Sequence, residues 1–125
     1  MKKIPKISDA EYEIMKVIWE NEPLTAADIV SIVDSESWNE NTIRTMVNRL
    51  LKKAAIGYKK NGKAYIYHSL ISSGEYKKFE GMSFLKKIYG GSISAMFANL
   101  VNGEEISKDE LNDLKELLEK ELGNE

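Results

Sequence analysis

The chain has 125 residues, 42% hydrophobic and 30% charged, which suits a globular protein of one domain, or one small domain plus an accessory element. It has no cysteine, which excludes disulfides, thiolate metal sites and cysteine nucleophiles together. A net charge of −2 argues against a uniformly basic nucleic-acid binder.

The first residues, Met1 to Lys6, are charged with no apolar run behind them, which is not the pattern of a signal peptide. No apolar stretch approaches the ~20 residues needed to span a bilayer. A cytoplasmic protein with no membrane insertion is expected. Ser8-Asp9-Ala10-Glu11 reads as a capping box opening a helix to about Glu20, with Ala10, Ile14, Val17 and Ile18 on one side. Pro23 ends it, because proline disfavours helical geometry in the residue before it. Thr25 to Asp28 caps a short second helix carrying Ile29, Val30 and Val33, and Asp34 to Ser37 is expected to be loop.

A third helix is predicted from Glu40 or Asn41. Its apolar residues Ile43, Met46, Val47, Leu50, Leu51 and Ala54 fall at helical spacing and form one buried stripe. The opposite side reads Thr42, Arg44, Thr45, Asn48, Arg49 and Lys52. Two strand-like runs follow, separated by Asn61-Gly62, a strong short hairpin signal. A two-residue turn there pairs Lys60 with Lys63, Tyr58 with Tyr65 and Ile56 with Tyr67. From about Ser72 the chain is predicted to be helical in three segments, broken at Gly90-Gly91 and Asn102-Gly103. The fold class is therefore mainly α with a small β-wing. A winged helix-turn-helix domain over residues 1–71 is followed by a helical dimerisation domain over 72–125.

Charge follows this organisation. Residues 41–74 hold seven basic side chains and no acid. Residues 1–40 hold four lysines and nine acids, and residues 75–125 hold seven lysines and eleven acids. Such an island marks either a localised polyanion contact or a chance cluster of solvated lysines. In a winged helix-turn-helix the third helix lies in the major groove. Arg44 there suits a bidentate contact to guanine, while Thr42 and Thr45 offer hydroxyls and methyls. Arg49 and Lys53, further along, suit phosphate. Lys60 facing Lys63 is a repulsive pair unless a phosphate lies between them. The candidate DNA-contacting set is Asn41, Thr42, Arg44, Thr45, Asn48, Arg49, Lys53, Lys60, Asn61 and Lys63.

The C-terminal segments carry more large apolar groups than so short a stretch can enclose alone. They are expected to pair with a second copy through Phe84, Leu85, Ile88, Tyr89, Ile93, Met96, Phe97, Leu100, Leu111, Leu114 and Leu118; one fused monomeric core is the alternative. A twofold dimer presents two recognition helices to a palindromic site. His68, the only histidine, reads as structural, and Trp19 as core packing. Trp38 reads as a staple before the third helix, and Glu104-Glu105 as a solvated turn. No phosphate-binding loop, metal-ligand cluster or nucleophile motif appears, so neither catalysis nor a cofactor is expected.

The run Asn41-Thr42-Ile43-Arg44-Thr45-Met46-Val47-Asn48-Arg49-Leu50 resembles the recognition helix of the penicillinase repressor family (BlaI/MecI). Ile7 to Met15 with Ile18-Trp19, and Phe84 to Gly91, are similar to that family's opening and dimerisation segments. The resemblance implies a dimeric repressor of β-lactamase or penicillin-binding-protein genes on a palindromic operator. It also implies a membrane-bound sensor metalloprotease that leads to cleavage of an Asn-Phe bond and release of DNA. The matching bond is Asn99-Leu100, where leucine stands in place of phenylalanine. With no cysteine, the copper-sensing tail of related repressors is excluded. Two other readings stay open: a winged-helix module for an acidic protein partner, and a repressor released by a small ligand.

Overall fold

The structure, a computed structural model, describes residues 3–33, 38–103 and 105–123. The expected loop at Asp34 to Ser37 lies outside the described residues, as does Glu104 of the expected acidic turn. In chain order the elements are α1 (Asp9–Asn21), α2 (Ala26–Ile32), α3 (Glu40–Lys52), β1 (Ile56–Asn61), β2 (Ala64–Ser69), α4 (Ser73–Tyr89), α5 (Ile93–Val101) and α6 (Lys108–Gly123). They form two compact units, Met1–Phe79 and Glu80–Glu125.

In the first unit the helix starts are fixed locally. The Ser8 hydroxyl accepts from the Glu11 amide at 3.1 Å, and the Glu11 carboxylate accepts from the Ser8 amide at 2.9 Å. Thr25 and Asp28 repeat the device at 3.1 and 3.0 Å. α3 starts at Glu40 because the Asn39 side chain accepts from the Thr42 amide at 2.9 Å. Ile14, Met15 and Ile18 of α1, Ile29 of α2, and Ile43, Val47 and Leu50 of α3 meet in a fully buried core, joined by Ile56 and Ile71. Met15, outside the expected stripe, is completely buried, whereas Val17 is only half-buried.

Ala54 departs from the expected stripe. It is exposed, with φ of 62°, just past the end of α3. The Ala54 amide donates to the Leu51 carbonyl and the Ala55 amide to the Leu50 carbonyl, both at 3.0 Å. This is a Schellman ending with alanine where glycine is usual, and it sends Ala55 and Ile56 into the core instead.

The hairpin register also differs from expectation. Asn61 pairs with Ala64, Lys60 with Tyr65, Tyr58 with Tyr67 and Ile56 with Ser69. The two turn residues are Gly62 and Lys63. Of these only Gly62 has positive φ, at +66°, the pattern of a turn with glycine at its first central position. An Asn61-Gly62 turn requires positive φ at both, and Asn61 does not adopt it. A slip of two residues leaves every side chain on the face expected for it, whereas a slip of one reverses them all. Lys60 and Lys63 are therefore not opposed, and the repulsive pair does not form.

Long-range bonds seat the ribbon on the helices. Leu24, between α1 and α2, bridges to Tyr67 through backbone bonds of 2.7 and 3.2 Å. The Glu22 carboxylate accepts from the Ser69 amide and hydroxyl at 2.8 and 2.9 Å. The Trp19 indole donates to the Ile71 carbonyl at 2.9 Å, and Tyr12, Trp19 and Tyr76 form a ring cluster with centroids 5.6 to 5.9 Å apart. That cluster binds the first turns of α4 to α1. The break between units consequently falls inside α4, after Phe79, rather than at residues 71/72.

In the second unit, α4 ends at Gly90 and Gly91, both with positive φ. The Tyr89 hydroxyl donates to Asn99 at 3.4 Å. No described residue of α5 or α6 is buried. No helix among the described residues is long and apolar enough to cross a membrane.

Candidate nucleic-acid interface

The two sides of α3 divide as its spacing demands. Ile43, Met46, Val47 and Leu50 are buried, while Asn41, Thr42, Arg44, Thr45, Asn48, Arg49 and Lys52 are all exposed. Arg44 and Arg49 thus face solvent. On the ribbon, Lys59, Lys60, Asn61 and Lys63 are exposed as well. Arg44, Lys63, Tyr65 and Tyr67 line one cleft of about 380 Å³ with Thr25, Ala26 and Ala27, so the fold brings α3, the ribbon and the start of α2 together. Burial raises the Tyr67 hydroxyl above the usual tyrosine range, and the Arg44 guanidinium offsets part of that rise.

Three expected contacts are changed by their surroundings. Lys53 does not stand on the free cationic face: its ammonium is bonded to the buried Glu11 carboxylate and, at 2.9 Å, to the Lys6 carbonyl. The pair keeps a carboxylate buried, which needs such a partner. Burial pushes the Glu11 carboxyl upward, but the Lys53 ammonium and the Ser8 amide outweigh it and hold the group below the usual range. The Thr45 hydroxyl donates to the Asn41 carbonyl at 2.8 Å, so its proton is engaged within the helix. Arg44 Nε donates to Glu40 Oε2 at 3.0 Å.

The sequence places Tyr58, Tyr65 and Tyr67 on one face of the wing, but its reading gives that aromatic face no role. Tyr58 and Tyr65 are exposed and stack at 4.3 Å, with the Lys60 ammonium 5.5 Å from the Tyr65 ring centre. The alternation that places them beside Tyr67 was the available signal. Among the described residues no group of acids and histidine is arranged to hold a metal ion.

The pattern that defines the family described as penicillinase repressor matches residues 7–120. The chain belongs to the penicillinase repressor family. It is 38% identical to the penicillinase repressor of Bacillus licheniformis over 120 residues, which covers 95% of this chain and 94% of that one. It is 34% identical to the methicillin resistance regulatory protein MecI of Staphylococcus aureus over 116 residues, covering 92% and 94%. The solution structure of the B. licheniformis BlaI monomeric form in complex with the blaP half-operator superposes with a TM-score of 0.52 at 41% identity, over 61% of this chain and 94% of that one. Family membership makes this winged-helix protein a DNA-binding transcriptional repressor and not an enzyme.

Proposed function

We propose that this member of the penicillinase repressor family binds a palindromic double-stranded operator as a homodimer, with α3 in the major groove and the ribbon along the backbone. The observation that carries the reading is the exposed cationic surface made by the polar side of α3 beyond Glu40 and by the ribbon, within a stretch, residues 41–74, that contains no acid. Arg44 reads guanine, Asn41, Thr42, Thr45 and Asn48 supply further base or backbone contacts, and Arg49, Lys60, Asn61 and Lys63 take phosphates. Lys53 is left out of that set, since its ammonium is occupied by Glu11.

Homodimerisation is supported by the second unit. Ile88 is 55% exposed, Ile93 58%, Leu117 54% and Leu118 59%, and an apolar groove of about 420 Å³ runs between α5 and α6. Surfaces of this kind seek cover. Phe84 and Leu100 are exposed with them, while Tyr89, Met96, Phe97, Leu111 and Leu114 are half-buried. Leu85 is buried within its own subunit and contributes to the pairing only indirectly. The regulated genes are those of β-lactamase or penicillin-binding proteins. Release follows a cut at Asn99-Leu100, in the last turn of α5, prompted by a membrane-bound sensor metalloprotease; the repressor itself stays in the cytoplasm.

A gel-shift titration against the chain's own promoter, run with Arg44→Ala and Leu118→Glu, tests this. Arg44→Ala removes sequence preference, and Leu118→Glu yields a monomer in sedimentation with at least roughly tenfold weaker operator binding, as two linked half-sites become one. Sequence preference that survives Arg44→Ala refutes the base-reading assignment, and a dimer that survives Leu118→Glu refutes this pairing surface.

A further inference from the structure

Glu40 is the last acid before 34 residues that contain none. It opens α3 one turn ahead of Arg44, at the edge of the cationic surface. An acid there repels phosphate, so its presence weakens non-specific attachment to DNA. Its place at the first turn of a helix favours the helix electrostatically, but an uncharged cap residue, Asn39, already serves that end. The Glu40–Arg44 pair is well exposed, with side-chain accessibilities of 60% and 45%, and exposed pairs add little to stability. The consequence of the pair is therefore geometric.

A guanidinium is a planar fork with two usable edges. Glu40 Oε2 engages Nε at 3.0 Å, and among the described residues the two terminal amino groups of Arg44 are left unbonded. Those two groups are the ones that reach guanine O6 and N7 end-on. Arg44 also lines the cleft shared with Lys63, Thr25 and Tyr65, where a phosphate would compete for it. We infer that Glu40 is a specificity-determining positioning residue: its carboxylate holds Arg44 by Nε, away from phosphate, with its terminal edge presented to one base pair. This rests on Arg44 reading a base, as proposed above.

The test measures dissociation constants of the full-length wild type, Glu40→Gln, Arg44→Ala and the double variant. The probes are the operator mapped by footprinting on the chain's own promoter, its single-base-pair variants, and a random duplex. Glu40→Gln is expected to tighten binding to the random duplex while lowering discrimination at one base pair per half-site by roughly three- to tenfold. Other positions keep their preference, and in the Arg44→Ala background Glu40→Gln changes discrimination less than about twofold. A factor common to every sequence means that Glu40 acts only through its charge, and overturns the proposal. If Arg44→Ala itself leaves discrimination intact, the base-reading assignment falls and this proposal with it. If Arg44→Ala abolishes discrimination but Glu40→Gln preserves it, only the positioning role is lost. Thermal melting of each variant separates either outcome from misfolding.

Discussion

Replacing Lys53 by methionine keeps the aliphatic stem and removes the ammonium that neutralises Glu11. The Glu11 carboxylate, 2% exposed, then retains only the Ser8 amide. Removing one partner of a buried ion pair costs ~3–5 kcal/mol when burial is complete. Lys53 is 35% exposed, so water takes up part of the loss and about 2 kcal/mol remains. For a unit of this size that lowers the melting temperature by roughly 8–15 °C. The pH dependence carries a sign. The folded-state pKa of Glu11 lies below its ordinary value, so the stabilisation is fully present above the unfolded pKa and is lost as pH falls through the folded one. The wild type and Lys53→Met therefore diverge at neutral pH and converge in acid. Urea melts followed by the fluorescence of Trp19, which sits in the ring cluster, read this out. Glu11→Gln with Lys53→Met is expected to cost less than Lys53→Met alone. Equal neutral-pH stability of wild type and Lys53→Met, together with a salt slope of DNA binding reduced by about one, would refute the reasoning and return Lys53 to the phosphate-contacting set.

Ala54→Gly relieves a left-handed alanine and is expected to stabilise the first unit by about 0.5–1 kcal/mol; destabilisation in urea melts counts against the Schellman ending. Trp19→Phe leaves the Ile71 carbonyl without its indole donor, at a cost of about 1–2 kcal/mol in urea melts followed by far-ultraviolet circular dichroism, and a change below about 0.3 kcal/mol contradicts that bond's contribution. Lys60→Gln with Lys63→Gln weakens operator and random duplexes by similar factors and lowers the salt slope by about two, without altering base preference. An unchanged slope removes the ribbon from the interface.

Much of this protein was written in short-range chemistry. Ser8 with Glu11 and Thr25 with Asp28 fixed two helix starts within four residues each. The 3.6-residue period of Ile43, Met46, Val47 and Leu50 fixed which side of α3 faces water, and with it the exposure of Arg44 and Arg49. Strand alternation fixed the faces of the ribbon even though its register lies two residues from the expected one. What the tertiary structure alone decided are meetings between residues far apart in the chain: Lys53 with Glu11, Trp19 with Ile71, and Leu24 with Tyr67. Local propensity sets the direction of a side chain relative to its own element. Whether that direction ends in water, a carboxylate or a core depends on which other element packs there, and no single stretch of sequence carries that information.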